Sequence, residues 1–450
     1  MRKTFANLLI SLFALSASLT TFGQVKVAPL NIKERKLANG LTVVSLQDNS
    51  SPTVAIHMWY NVGSKNDPPG RNGFAHLFEH IMFKSTKNMK SEMMDRLTED
   101  VGGFNNASTN DDFTNYYEVI PSNYLETLVW AEADRLANLT VDEPNFKSER
   151  AVVEEEYRQS VAAQPYGMFN EYIQKLSYTT HPYKRTTIGT LEDLDTATVK
   201  DVQDFHSTYY RPDNAYLIVV GDFDQKQFDE WTDKYFSRIA KPTTKIPRVT
   251  EVEPTRTKEE RFAKTAPNVP FPAVAITYLG PKSTDPDIPA ISVAEKILSG
   301  GESSRLYQSL VYKQQIAQEA SFNLDNRIEG GLFYFLAIAS EGKAAPELEK
   351  ALRAELKLIQ DHGITANELA KAKNQLISDA VRGREDNDRK AIAIERAIAY
   401  KGDPKAVNTT IQALQAVTAA DVQRVMKKYF NDNNRVVIYY STDGGGASKK

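Results

Sequence analysis

"DVQDFHSTYYRPDNAYLIVV" (residues 201–220) and "DVQRVMKKYFNDNNRVVIYY" (residues 421–440) align without a gap, 220 positions apart. Near the start of each half, "PTVAI" (52–56) and "PAVAI" (272–276) lie at the same offset. Two separate matches at one offset indicate an internal duplication. Within each half, runs of β-branched and aromatic residues mix with helical patterns without regular βαβ order. We therefore predict two homologous α+β domains.

Composition places the boundaries of these domains. Residues 242–260 are rich in proline and charge and have no apolar periodicity, so we predict an interdomain linker there. The N-terminal domain is then expected to span residues 31–241, and the C-terminal domain residues 261–443. The glycine-rich residues 444–450 are expected to form a disordered tail.

The N-terminus carries the pattern of a secretory signal. Arg2 and Lys3 precede an apolar stretch from about Phe5 to Leu19, and small or polar residues follow up to Gly23. We predict a signal peptide over residues 1–23 and export to the periplasm or the exterior. A retained membrane anchor is the alternative, but the apolar run is shorter than the ~20 residues that a span requires.

Charge and cysteine content exclude several classes of function. The chain has 450 residues, a net charge of −3 and no basic run, which argues against a nucleic-acid partner. It has no cysteine, which excludes disulfides, thiol catalysis and metal sites with cysteine ligands. A metal site in this chain must therefore be built from histidines and carboxylates.

The first half contains an H-x-x-E-H motif within a helical pattern. In "GFAHLFEHIMFK" (residues 73–84), His76, Glu79 and His80 are spaced so that all three share one face of a helix. Two imidazoles one turn apart can bind one zinc ion, and the carboxylate beside them can act on a water molecule. The alternative is a pair of structural histidines next to a solvated glutamate.

A third ligand is expected from "KSERAVVEEEYRQS" (residues 147–160). Val152 and Val153 mark the face of this helix that is predicted to be buried, and Glu149 and Glu156 fall on the same stripe. A buried carboxylate is costly unless it is paired or bound to a metal. Glu156 is therefore the candidate ligand, with Glu149 one layer behind it.

These motifs resemble the pitrilysin/insulysin family of inverzincin zinc metallopeptidases. The short, duplicated chain is most similar to the mitochondrial-processing-peptidase-like bacterial branch of that family. The resemblance rests on "HLFEH" (76–80), "ERAVVEEE" (149–156), "GGFNNASTNDDFTNYYEVI" (102–120) and "HPYKRTTIG" (181–189). It implies that the two α+β domains form one half of a clamshell.

The resemblance also implies roles for individual residues. One Zn²⁺ per chain would be ligated by His76, His80 and Glu156. Glu79 would be the general base, and Glu149 a second carboxylate that supports the site. The activity implied is that of an endopeptidase that hydrolyses unfolded or short peptides.

Substrate binding and assembly are implied in the same way. The resemblance places contacts to the substrate backbone at Asn106 and Ala107, in a segment that we expect to be an edge strand able to pair with an extended peptide. An edge strand without a ligand is the alternative. Members of this branch work as dimers that enclose a chamber, so a homodimer or a heterodimer with a related second subunit is expected.

The second half departs from the motif. Its corresponding helix, "IPAISVAEKILSGG" (288–301), has no histidine, so we expect a non-catalytic C-terminal domain. Family members grip the substrate carbonyl with an arginine and a tyrosine from a second-half domain, but "GGLFYFLAIAS" (330–340) has no arginine. Arg305 and Tyr307 lie in a glycine-flanked segment and are candidates to face the chamber. A non-catalytic or partner-dependent subunit, acting in peptide binding or assembly, is therefore the alternative to an enzyme.

Overall fold

The computed structural model describes residues 26–442. The predicted signal peptide (1–23) and the predicted tail (444–450) lie outside the described residues. Among residues 26–442, no helix is both long and apolar enough to cross a membrane.

The first half of the chain forms one mixed sheet with helices on both faces. Its strands are β1 (Lys33–Lys36), β2 (Thr42–Gln47), β3 (Thr53–Tyr60), β4 (Phe104–Thr109), β5 (Thr114–Pro121) and β6 (Ala215–Gly221). Its helices are α1 (Phe74–Ile81), α2 (Met93–Glu99), α3 (Leu125–Asn138), α4 (Glu143–Tyr157), α5 (Gly167–Ser177), α6 (Leu191–Asp195), α7 (Val199–Tyr209) and α8 (Gln225–Phe236). The strand order is β1-β2-β6-β3-β5-β4, and only β2 and β6 are parallel neighbours.

The second half repeats this architecture. Its strands are β7 (Glu260–Thr265), β8 (Ala273–Leu279), β9 (Ala317–Asp325), β10 (Leu332–Ala339) and β11 (Arg435–Ser441). Its helices are α9 (Ile288–Ser299), α10 (Ala345–His362), α11 (Ala366–Arg382), α12 (Asn387–Lys401), α13 (Thr410–Ala416) and α14 (Ala419–Tyr429). The order β7-β11-β8-β10-β9 matches the series β2-β6-β3-β5-β4 of the first sheet strand for strand, again with one parallel pair. The prediction of two homologous α+β domains is confirmed.

Each sheet is covered on one face by a helix from the other half of the chain. From α5, Phe169 stacks on Tyr440 of β11, with ring centroids 5.0 Å apart. From α12, Ala391 and Ile394 pack on the first sheet, in one apolar cluster with Trp59 of β3. Residues of β3 are consequently buried on both faces, which explains the unbroken apolar run in its sequence.

Buried charges join the two halves at the turns that follow β4 and β9. The guanidinium of Arg327 lies 3.2 Å from the carboxylate of Asp111. The ammonium of Lys65 lies 2.8 Å from both Asp112 and Glu329. Residues 242–259 connect α8 to β7 and adopt neither helix nor strand.

Candidate active site

Helix α1 is fixed at its start by a glycine and a buried carboxylate. Gly73 precedes the helix in the left-handed region, with φ of 96°, and a Cβ there would lie 2.6 Å from the carbonyl oxygen of Ile188. The carboxylate of Asp67 accepts hydrogen bonds from the amides of Gly73 (2.7 Å) and Ala75 (2.9 Å). These contacts satisfy amides that the first turn leaves without partners and set the direction of the helix.

The structure brings His76, His80 and Glu156 together between α1 and α4. One donor atom from each residue lies within 4.8 Å of the others. The Nε2 atoms of His76 and His80 lie 3.8 Å and 3.5 Å from Oε2 of Glu156. Among residues 26–442, this is the only group of three histidine or acidic side chains close enough to hold one ion.

The spacing of these donors fits a zinc ion. Tetrahedral zinc, with bonds of about 2.0–2.1 Å, separates its ligand atoms by about 3.4 Å. The two distances to Glu156 are within a few tenths of an ångström of that value. Two imidazoles and one carboxylate are also a donor set that zinc accepts while leaving a fourth position open.

The charges around the two histidines favour a bound cation. Burial, together with the neighbouring His80, lowers the pKa of His76 to about 4, so its ring is neutral and free to bind metal at neutral pH. Burial opposes charge on His80, but the nearby carboxylates of Glu149, Glu79 and Glu156 raise its pKa. A positive charge is thus stabilised at this position.

Glu79 lies in the same cleft and is held by one hydroxyl group. Burial raises the pKa of Glu79, against the hydrogen bond with Thr109 and the charge of His80, which lower it. The hydroxyl of Thr109, the last residue of β4, donates that hydrogen bond to Oε2 of Glu79. A carboxylate with a raised pKa beside a cation site is suited to accept and release a proton.

Glu149 lies behind His80, on the buried side of α4. Its Oε2 is 3.6 Å from Nδ1 of His80, and its Oε1 is 2.8 Å from the ammonium of Lys84. Val153 is buried as expected, but the prediction that Val152 shares this face is wrong, because 47% of its surface is exposed. Neighbouring residues on a helix are about 100° apart, and here Val153 faces the core while Val152 lies at the solvent side.

β4 is the edge strand of its sheet and pairs with β5 alone. Asn106 is exposed and Ala107 is half-buried, and the amide of Ala107 donates to the side-chain oxygen of its neighbour Asn106 at 2.8 Å. A peptide that pairs with this amide must displace that local hydrogen bond. The residues of β4 that line the cleft are Ser108 and Thr109.

The cleft has a volume of about 470 Å³ and draws its walls from several distant segments. Beside the motif residues, it is lined by side chains that the motifs do not identify, chiefly Ser108, Thr109, Asn170, Glu171, Gln174, Thr186 and Thr187. Of these, Thr186 and Thr187 lie in "HPYKRTTIG", and Ser108 and Thr109 lie in "GGFNNASTNDDFTNYYEVI", but neither motif assigned them a role. The polar pattern of α5 was the available signal for Asn170 and Gln174.

Helix α9 in the second half is the counterpart of α1. The buried residues Phe74, Ala75, Leu77, Phe78 and Ile81 are matched, at the same spacing, by Ala290, Ile291, Val293, Ala294 and Ile297. In this alignment Ser292, Glu295 and Lys296 occupy the positions of His76, Glu79 and His80.

Helix α11 is likewise the counterpart of α4. Asp379 and Glu156 each lie fourteen residues after the N-cap of their helix, which is Thr365 in α11 and Asp142 in α4. The ammonium of Lys296 lies 3.1 Å from the carboxylate of Asp379. An ion pair within the chain therefore stands where His80 and Glu156 face each other in the first half.

Arg305, one of the two candidates to face the chamber, is engaged in a structural contact. Its guanidinium donates to both carboxylate oxygens of Glu368, at 2.6 and 2.9 Å. Glu368 is part of the capping box that starts α11, so this pair fixes a helix end.

Comparisons with known proteins bear on the family of this chain. The insulinase (peptidase family M16) model matches residues 42–191, and the model of the peptidase M16 inactive domain matches residues 196–376. Zinc protease PqqE of Helicobacter pylori is 32% identical over 399 residues, which cover 88% of this chain and 89% of that protein. The probable mitochondrial-processing peptidase subunit beta of Arabidopsis thaliana is 25% identical over 407 residues, covering 88% and 76%.

A solved structure shows the same fold. The crystal structure of a protease from Helicobacter pylori superposes with a TM-score of 0.88 at 30% identity, covering 92% of this chain and all of that one. The family resemblance predicted from the motifs is confirmed. The chain belongs to the insulinase family of peptidases, family M16.

Proposed function

We propose that the chain is a zinc-dependent endopeptidase that hydrolyses unfolded or short peptides. The observation that carries this proposal is the approach of the donor atoms of His76, His80 and Glu156, with the carboxylate of Glu79 in the same cleft. The names of the relatives, a zinc protease and a processing peptidase, support the same activity.

Each residue of the site has a role in this proposal. His76, His80 and Glu156 ligate one Zn²⁺, and Glu149 fixes the ring of His80 through Nδ1. When bound, zinc would polarise the scissile carbonyl and acidify a water molecule at the site. Glu79 accepts a proton from the attacking water and returns it to the leaving amine.

Substrate binds by strand addition in this proposal. The outer edge of β4 is unpaired within its sheet, so an extended peptide can continue the sheet past Asn106 and Ala107. The strand ends at Thr109, beside Glu79, so a peptide bound along it is led to the catalytic carboxylate. Backbone pairing of this kind is largely independent of the peptide's sequence.

Assembly and location follow the sequence predictions. We propose that the chain is exported and that residues 1–23 are removed as its signal peptide. Residues 31–241 form the catalytic domain and residues 261–443 the non-catalytic domain. The chain works as a homodimer or as a heterodimer with a related second subunit. A relative named as a subunit supports the pairing. A partner-dependent subunit is the second candidate, since residues 330–340 contain no arginine and a partner would then supply the groups that grip the substrate carbonyl.

The decisive experiment compares wild type, Glu79→Gln and His80→Gln. Metal content is measured by mass spectrometry, and cleavage of a short quenched peptide is followed with and without a chelator. We expect the Glu79 variant to keep zinc and lose turnover, and the His80 variant to lose both. A wild type that binds no zinc, or a Glu79 variant that cleaves as fast as wild type, contradicts the proposal.

A further inference from the structure

The second half contains a larger cleft at the position that corresponds to the candidate active site. It is bounded by α9, α11, α12 and α13, and Ser292 and Asp379, the counterparts of His76 and Glu156, are among its lining residues. Its volume is about 1050 Å³, against about 470 Å³ in the first half. We call this space the counterpart cleft.

The floor of the counterpart cleft is apolar. Ile288 of α9, Ala397 of α12 and Leu414 of α13 are buried and line it, and Ile392 is half-buried there. A space of this size with an apolar floor matches the usual character of a ligand site. It is large enough to take several side chains at once.

The rim of the counterpart cleft is basic. Five arginine and lysine side chains line the cleft, against two aspartates; of these, Asp379 is paired with Lys296 and Arg382, and Arg389 is paired with Glu385 and Asp386. Arg396 is exposed and has no ion-pair partner among residues 26–442. The active-site cleft has the opposite character, because three glutamates and no lysine or arginine line it. The counterpart cleft therefore attracts anionic groups.

We propose that the counterpart cleft binds an acidic, apolar segment of a peptide and does not cleave it. The duplication gives it the same place, relative to its sheet and helices, as a cleft for which peptide is the proposed ligand. Its apolar floor suits leucine- or phenylalanine-like side chains, and its basic rim suits glutamate or aspartate beside them. The inference takes the ligand class from the proposed function but does not depend on turnover.

The ion pair between Lys296 and Asp379 explains why this cleft does not cut. It joins α9 to α11 at the place where His80 and Glu156 face each other in the first half. Lysine and serine replace both imidazoles, so the cleft has no set of three metal donors. A bound segment would be held in place while another part of the peptide lies at the active site.

The test measures peptide binding in the Glu79→Gln background, in which the peptide is not consumed. The probes are two fluorescein-labelled peptides of equal length, one with glutamate between leucine and phenylalanine residues, the other with lysine for each glutamate. Both carry a photo-cross-linking group. The added variants are Arg396→Glu at the rim, Ala413→Trp to fill the cleft, and Arg238→Glu as a matched charge reversal at an exposed site outside both clefts.

We expect tighter binding of the acidic peptide, with cross-links to α12 and α13. Arg396→Glu should weaken this binding about fivefold, and Ala413→Trp should weaken it as well, while Arg238→Glu leaves it unchanged. Wild-type affinity for the acidic peptide in both Arg396→Glu and Ala413→Trp, or cross-links confined to the active-site cleft, would overturn the proposal. Failure of the proposed peptidase would appear separately, as a wild type that cannot cleave the short peptide.

Discussion

Among single residues, Thr109 has the most direct influence on the proposed general base. Its hydroxyl is the side-chain donor that holds the carboxylate of Glu79, and it is the last residue of the strand along which substrate is proposed to bind. We expect Thr109→Val to lower kcat about tenfold with little change in KM, because the carboxylate loses its orientation but the strand edge remains.

The control for this prediction is Thr109→Ser, which keeps the hydroxyl and should keep most of the activity. Steady-state kinetics on a short quenched peptide separates the two parameters. If valine and serine reduce kcat equally, or if only KM changes, the hydroxyl does not position Glu79.

In the proposed metal site, Glu149 acts through His80. It contacts Nδ1 of that ring and is itself anchored by Lys84. Carboxylates that orient a ligating histidine typically contribute 10–100-fold to metal affinity, so we expect Glu149→Gln to weaken zinc binding by about that factor. Titration against a competing chelator measures it. Glu154→Gln, on the same helix but paired with Arg150 and Arg158, should bind zinc like wild type.

At the level of helices and strands, the two halves exchange a helix: α5 of the first half packs on the second sheet, and α12 of the second half packs on the first. This exchange makes each half depend on the other. Ile394 belongs to the second half by sequence but is fully buried against the first sheet. We expect Ile394→Ala to lower the free energy of unfolding by about 2–5 kcal/mol. Hydrogen exchange should show the loss of protection in β3 and β6, which lie outside the domain that contains the mutation.

A surface substitution provides the comparison for this prediction. Leu358 on α10 is 45% exposed, so Leu358→Ala should change the free energy of unfolding by less than about 0.5 kcal/mol. Loss of protection confined to the second sheet in the Ile394 variant would contradict the exchange.

This exchange also shows how far the sequence could be interpreted. Periodicity predicted α1 and α4, and the offset of 220 predicted two similar sheets, because both are local or repeated signals. The offset pairs α5 with α12 but does not say which sheet each helix covers. The contact between Thr109 and Glu79 joins residues thirty positions apart in different elements, so no spacing rule predicts it.

In the molecule as a whole, carboxylate–ammonium pairs join the two halves. Lys390, on the exchanged helix α12, lies 2.6 Å from Asp48 of the first half, and Lys65 lies 2.8 Å from Glu329 of the second. The hydrogen bond from Lys390 lowers the pKa of Asp48 to about 2. Burial opposes ionisation of Glu329, but hydrogen bonds from His181 and Lys65 lower its pKa to about 2 as well.

These pKa values determine how stability depends on pH. A carboxylate whose pKa is lower in the folded state stabilises the fold above its ordinary pKa, 3.8 for Asp48, and this contribution is lost as the pH falls towards 2. We therefore expect Lys390→Met to lower the free energy of unfolding by about 1 kcal/mol at pH 7. The difference from wild type should shrink towards zero by about pH 2, where Asp48 becomes protonated in both proteins.

Urea unfolding of both proteins at several pH values measures this difference. Burial raises the pKa of Asp111 to about 6, so its contribution to stability changes with pH in the opposite sense to that of Asp48. This contribution is the same in both proteins and cancels in the comparison. The matched control is Lys200→Met, which breaks the exposed pair between Lys200 and Asp204 and should have little effect at any pH. A pH-independent difference for Lys390→Met would mean that its side chain stabilises the junction by packing and that its pairing with Asp48 contributes nothing measurable.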